Sequence, residues 1–218
     1  MTAVSITASD LRYDPTSRKA AIVAGLLFLT ATVTFMLGDS LITGFFAGHT
    51  GTSSLTIGVA LQAVCALAGV GIGLALLGVL SRHSKALARG YLAFRSLEGV
   101  AILAIGVYIL ATTSLVAHYE ILIYGFTGTA GLMLSYILHR ARLVPRWLSW
   151  LGIVGYVAIL LAIPGTLLDV ATLDSGPGML LYVPGGLFEL ILPVLLIARG
   201  FRRIPTQEST PAPVLLSA

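Results

Sequence analysis

Three ionisable side chains lie deep inside long apolar runs of this sequence. Arg95 and Glu98 interrupt the run YLAFRSLEGVAILAIGVYILATT, and their spacing of three residues puts both on one face of a helix. Glu189 lies near the middle of another run, LYVPGGLFELILPVLLIA, and has no basic residue within a helical turn. A charge at the centre of a bilayer costs roughly 2.5–3.5 kcal/mol, so such residues mark a candidate functional site facing the interior of a helix bundle.

Two carboxylates in a site without water can hold different protonation states. We expect Glu189, which lacks a nearby cation, to be the protonated acid. Glu98, paired with Arg95, would be the ionised group that acts as a base or stabilises a developing positive charge. The pattern predicts an intramembrane enzyme with Glu98, Glu189 and Arg95 as catalytic residues, and proton-initiated cyclisation or isomerisation of an isoprenoid is the type of reaction it favours.

The same residues fit two other classes of protein. In a proton-coupled carrier or exporter of a small amphiphile, the carboxylates would bind protons, and a chain of this size would be expected to work as a homodimer. In a structural membrane subunit, the three charges would form a salt-bridge cluster that makes the packing specific. At the level of sequence it stays open whether the chain is an enzyme, and whether Arg95 pairs with Glu98 or bridges to Glu189.

Other polar side chains define the expected pocket. Gln62 lies inside an apolar run without a local polar partner. Together with Tyr91 and Tyr182 it is assigned to the wall of a substrate pocket between the second, third and sixth apolar segments, and the expected ligand is a small lipophilic molecule. The sequence has no phosphate-binding loop, dinucleotide fingerprint or metal-ligand spacing, so neither a cofactor nor a metal is expected.

The elements that must position these residues are transmembrane helices. The chain is 57% hydrophobic and only 10% charged, whereas soluble domains carry roughly 25% charged residues. About 20 apolar residues are needed to cross a bilayer. Six segments meet this requirement, near 19–38, 56–80, 88–112, 120–139, 147–168 and 178–198. The predicted fold class is an all-α polytopic bundle of six transmembrane helices.

The basic residues predict the topology of this bundle. Apart from Arg95, every lysine and arginine lies at or before the start of the first segment, after the sixth, or in or directly beside the second and fourth connections. The other three connections contain neither residue, so the positive-inside rule places both termini in the cytoplasm. The net charge of +4 is explained by these short clusters, and no nucleic acid is expected as a partner. The expected partner is the lipid bilayer.

The polar ends of the chain complete the domain organisation. We expect residues 1–17 and 203–218 to be disordered cytoplasmic tails, because they are polar or rich in Pro, Ser and Thr. The transmembrane domain would span residues 18–202. Glycines at helical spacing inside the spans, such as Gly69 with Gly73 and Gly152 with Gly155, predict close packing between helices of one chain.

Four stretches together resemble a known family: AGLLFLTAT, FRSLEG, LVPRWLSWLGIVGY and GGLFELILPVLLIARGF. They are similar to bacterial multi-pass membrane proteins grouped as domain of unknown function 4386, over residues 18–202. The residues that correspond to the family's motifs are Arg95, Glu98, Pro145, Arg146, Trp147 and Glu189. The resemblance implies a multi-pass protein of the bacterial cytoplasmic membrane. It supplies no activity.

Overall fold

The computed structural model describes residues 15–116, 119–167 and 180–202, and within these ranges the chain forms six α-helices. They are α1 (Pro15–Phe46), α2 (Thr52–Ser81), α3 (Lys85–Thr112), α4 (Tyr119–Arg140), α5 (Arg146–Leu167) and α6 (Val183–Ala198). All six segments, the last one including the turn before α6, are long and apolar enough to cross a membrane. The predicted all-α bundle of six transmembrane helices is confirmed, and the chain is a multi-pass membrane protein.

The first helix is longer at both ends than the apolar segment from which it was predicted. It begins at Pro15, where proline is well tolerated because the N–H groups of the first turn have no acceptor within the helix. It then continues past residue 38 to Phe46, and the Thr43 hydroxyl donates to the Asp39 carbonyl within the added turns. Gly48, with a φ of +76°, follows the helix in the left-handed conformation that ends helices. The rest of the predicted tails, 1–14 and 203–218, lies outside the described residues.

Prolines occur in both of the last two helices. Pro184 lies in the first turn of α6, where proline is compatible with a helix start. Pro164 lies inside α5 and Pro193 inside α6, and both helices continue beyond them.

The helices are arranged as a closed ring in chain order. Each one packs against its neighbours in the sequence, and α6 packs against α1. The guanidinium of Arg18 secures this closure, because it donates to the Leu196 carbonyl at 2.9 Å and the Ile197 carbonyl at 2.7 Å at the end of α6. The basic connections all lie where α1, α3 and α5 begin and α2, α4 and α6 end. We call this the basic end of the bundle.

Glycines bring neighbouring helices into close contact, as predicted. A Cβ on Gly73 would approach Leu92 of α3 to 2.8 Å, and a Cβ on Gly155 would approach the Gly185 Cα of α6 to 2.6 Å. A Cβ on Gly131 of α4 would overlap the ring of Tyr156 in α5. These glycines therefore serve packing within one chain, which is how small residues stabilise helix pairs in lipid.

The interior of the ring is filled by large side chains at mid-height. Tyr91, Tyr156, Phe28 and Phe188 come from four different helices, and each is at most 1% exposed. The outward surface is rich in exposed leucine and valine, as expected for a surface that faces lipid. The charged residues Arg95 and Glu98 are buried within this apolar interior.

Candidate functional site

Arg95 and Glu98 form an ion pair inside the bundle. Arg95 Nη1 donates to Glu98 Oε2 at 2.8 Å, and each residue is only 7% exposed. Both project from the same face of α3, as the spacing of three residues predicts. Burial of two charges without a partner would cost several kcal/mol per ion, and the pairing offsets much of this penalty. Arg95 therefore pairs with Glu98 within its own helix.

The second oxygen of Glu98 is bound by a residue of α4. The Thr127 hydroxyl lies 2.6 Å from Glu98 Oε1 and 2.9 Å from the carbonyl oxygen of Ile123, one turn earlier in its own helix. A hydroxyl has only one hydrogen to donate, so these two acceptors compete for it. Both carboxylate oxygens of Glu98 thus have partners. Thr127 was not expected from the sequence, because threonines in membrane helices commonly bond to their own backbone.

Glu189 has a neutral partner. Tyr156 Oη of α5 donates to Glu189 Oε1 at 2.8 Å. Within the described part of the chain, no lysine, arginine or histidine forms an ion pair with Glu189. The Tyr156 ring is held against Phe188 in an edge-to-face contact, with centroids 5.7 Å apart. Sequence reasoning missed Tyr156, although a tyrosine in mid-span, away from the interfaces that tyrosine prefers, was an available signal.

The two carboxylate sites lie in one layer of the bundle. Arg95 is ten residues from the start of α3 and Glu189 is nine residues from the end of α6. At 1.5 Å per residue, both therefore lie about 14–15 Å from the basic end. Arg95 lies close enough to Glu189, as well as to Glu98, for electrostatic interaction. The sequence-predicted charges are brought to a common depth, but only Glu98 is in an ion pair with Arg95.

The aromatic neighbours of Arg95 complete this layer. Its guanidinium carbon lies 5.9 Å from the ring centroids of both Phe28 and Tyr91, within the range of cation–π contacts. The Tyr91 hydroxyl and Arg95 Nε are buried and make no hydrogen bond to any described residue. Tyr91, which was assigned to the pocket wall, therefore packs beside the guanidinium of Arg95 and does not line the small cavity described below.

The other two expected pocket residues lie nearer the end opposite to the basic end. Gln62 Nε2 donates to the Phe35 carbonyl at 3.4 Å, which links α2 to α1. The ring of Tyr182 packs edge-to-face against Tyr124, with centroids 5.2 Å apart. Gln62 and Tyr124 line the same cavity, whereas Tyr182, which was also assigned to the pocket wall, contacts Tyr124 but does not line the cavity.

This cavity lies between α1, α2, α3 and α4 and has a volume of about 40 Å³. Its wall consists of Phe35, Asp39, Ile42, Val59, Gln62, Ile102, Ile105, Gly106, Ile109, Tyr119, Ile123 and Tyr124. Ile102 follows Glu98 by one turn of α3, and Ile123 precedes Thr127 by one turn of α4. The hydrogen bond between Glu98 and Thr127 therefore lies directly beneath the cavity. Neither Glu98 nor Glu189 is in the wall, and α6, which was expected to enclose the pocket, does not contribute to it.

Among the described residues, no group of three or more His, Cys, Asp or Glu side chains is positioned to hold a metal ion. Cys65 is a free thiol on α2.

The fold and the buried charges define a polytopic membrane protein with an internal polar layer. The family model described as Domain of unknown function (DUF4386) matches residues 23–123 and 110–200, and the chain belongs to this family. This confirms the resemblance found in the sequence. Comparison with curated proteins and with solved structures finds no match.

Proposed function

We propose that the protein binds a small lipophilic molecule with a polar group in the cavity between α1, α2, α3 and α4. Protonation of Glu98 would control this binding, as in a proton-coupled carrier. The observation that carries the proposal is the position of the Glu98–Thr127 hydrogen bond, one helical turn beneath Ile102 and Ile123 of the cavity wall. A ligand that enters the cavity presses on the turns that hold this bond.

The cavity has the character of a site for an amphiphile. Isoleucines dominate its wall, while Gln62 and Asp39 supply polar groups. Ligand sites typically combine apolar walls with a few polar groups, but they measure roughly 300–1,000 Å³. A volume of about 40 Å³ therefore corresponds to a closed state. Binding requires α1 and α2 to separate from α3 and α4.

The competing acceptors of Thr127 supply a way to couple protons to this movement. When Glu98 is ionised, it accepts the threonine hydrogen and holds α4 against α3. When Glu98 gains a proton, it loses its charge attraction to Arg95 and can donate its own hydrogen to Thr127, whose hydroxyl then turns to the Ile123 carbonyl. One proton thus rearranges two contacts at the base of the cavity.

The distribution of basic residues supports the proposed orientation of the protein in the membrane. With the basic end on the cytoplasmic side of a bacterial inner membrane, both termini are cytoplasmic and the cavity belongs to the outer half of the bilayer. The lipid bilayer is the expected source of the ligand, and a homodimer is the expected working form of the carrier.

A second candidate is intramembrane acid–base catalysis. It is favoured by one observation: Glu189 is bound by a neutral phenol and not by a cation, which suits a carboxylic acid that donates a proton. Glu189 is half-buried and is not in the wall of the small cavity, so a substrate of this reaction would bind at a separate place. In the third alternative, the polar layer only stabilises the bundle.

Extraction of the purified protein tests ligand binding. The wild type, solvent-extracted and examined by mass spectrometry, should release a lipophilic compound in stoichiometric amount. Ile105→Phe, which fills the cavity, should release much less, whereas Val107→Phe on the lipid-facing side of the same helix should match the wild type. Equal recovery from all three proteins would refute the cavity as the site.

Proton coupling is tested with the compound recovered from the wild type. Proteoliposomes containing a pH-sensitive dye should show proton movement when this extract is added, and Glu98→Gln should abolish it. If Glu189→Gln instead accumulates a chemically different compound, the protein is an enzyme. If a triple variant with apolar residues at Arg95, Glu98 and Glu189 retains full flux, the layer is structural only.

A further inference from the structure

A second and larger cavity lies at the basic end of the bundle. Its volume is about 400 Å³, and it is bounded by the turn between α2 and α3 and by the last turns of α4. His83 and Ser84 come from the turn, and Tyr136 and Arg140 come from α4. It is separated by most of the bilayer from the small cavity, so its role is independent of the function proposed above.

The electrostatic environment of this cavity favours an anion. Arg140 and His83 are in its wall, and Lys85 and Arg89 are exposed in the first turns of α3 nearby. Within the described ranges, no aspartate or glutamate lies at the basic end. The nearest acidic side chain on α3 is Glu98, thirteen residues beyond Lys85 and thus about 20 Å away along the helix. Among the described residues, no carboxylate therefore neutralises the charges of Arg140, Lys85 and Arg89.

The donors in the wall fit the oxygens of a phosphate group. Arg140 Nη1 makes one long contact, 3.4 Å, to the Tyr136 hydroxyl. The rest of its planar guanidinium stays available, and this group is the side chain best suited to bind phosphate through two parallel hydrogen bonds. His83, in the turn between α2 and α3, supplies a further donor. These groups converge from two separate elements on one concave space.

The remaining wall is apolar and lies at the level of the membrane surface. Leu87 and Ile137 line the cavity beside the polar groups, and Tyr136, 44% exposed, is the type of residue that occurs at lipid–water interfaces. We propose that this cavity binds a phosphate anion through Arg140 and His83. The anion is either the headgroup of an anionic phospholipid, whose apolar part follows Leu87 and Ile137, or free phosphate.

Thermal unfolding of the full chain in a zwitterionic detergent tests the proposal. The three additions, at matched ionic strength, are short-chain phosphatidylglycerol, short-chain phosphatidylcholine and inorganic phosphate. A ligand at ten times its Kd should raise the Tm by about 3–6 °C. Arg140→Gln and His83→Ala should lose most of this shift. Arg146→Gln removes one exposed charge at the same end but outside the cavity, and should retain the shift.

Each outcome decides the question. A shift with phosphatidylglycerol that depends on Arg140 and His83 supports a phospholipid headgroup, and an equal, similarly dependent shift with inorganic phosphate supports free phosphate. Absence of any shift overturns the proposal. It is also overturned by equal shifts in all variants, or by an equal response to phosphatidylcholine, because the effect is then general solvation by lipid. Without additions, each variant should have a Tm within a few degrees of that of the wild type. If Arg140→Gln is less stable than this, Arg140→Lys, which keeps the charge but cannot form two parallel hydrogen bonds, takes its place in the comparison.

Discussion

Replacing Gly131 with alanine should disturb the contact that holds Tyr156 against Glu189. A Cβ at position 131 would overlap the Tyr156 ring. The ring cannot simply move aside, because it is fully buried and packs against Phe188. Forcing an extra carbon into a filled interior costs typically about 1–3 kcal/mol. The variant should therefore be destabilised, and the hydrogen bond to Glu189 should lengthen or break.

The expected size of the effect can be measured as a change in Tm. For a chain of this length, 1 kcal/mol corresponds to about 2–4 °C, so Gly131→Ala should have a Tm roughly 2–12 °C below that of Gly125→Ala, which carries the same gain in helix propensity. Gly125→Ala is the matched control, since it lies on the same helix and its Cβ would come no closer than 3.8 Å to Ile163 of α5. This control should keep or slightly raise the Tm, because alanine favours a helix by about 1 kcal/mol over glycine.

A double substitution identifies the Tyr156 ring as the cause. In a Tyr156→Leu background the ring is absent, so adding Gly131→Ala should cost less than half of its effect in the wild type. Two results would contradict the reasoning. One is an equal Tm for Gly131→Ala and Gly125→Ala. The other is an undiminished loss in the Tyr156→Leu background, which would mean that the ring does not limit the space.

Three further substitutions test the remaining contacts by the same Tm measurement. Thr127→Val should cost about 1.5–3 kcal/mol because it removes a hydrogen bond to a buried carboxylate, while Thr127→Ser should be close to neutral. Glu98→Gln should cost more, about 3–5 kcal/mol, because it leaves the guanidinium beside it buried without a countercharge. Arg18→Gln should open the ring at α6 and cost about 1–3 kcal/mol, whereas exposed Lys19→Gln should stay within about 0.5 kcal/mol of the wild type. A Lys19 effect as large as that of Arg18 would rule out the closure by hydrogen bonds.

Part of the arrangement of the charged residues could be predicted because some of its geometry is local. Arg95 and Glu98 are three residues apart, so helical periodicity alone puts them on one face, but only the structure decides that Arg95 pairs with Glu98. The depth of Glu189 also follows from its distance to the end of its segment. The position of the cavity was not predicted, because it depends on which four helices meet and how closely their glycines allow them to approach.

The sequence by itself determined the number of spans, their helical nature and the end of the bundle at which the basic residues lie. These properties depend only on the length of the apolar runs and on which connections carry basic residues, and both can be read directly from the linear sequence. The partners of the two glutamates were decided only by the tertiary structure. Thr127 is 29 residues from Glu98, and Tyr156 is 33 residues from Glu189. Such contacts depend on the rotation of each helix about its axis and on the closure of α6 against α1, which are set by side-chain packing across the ring.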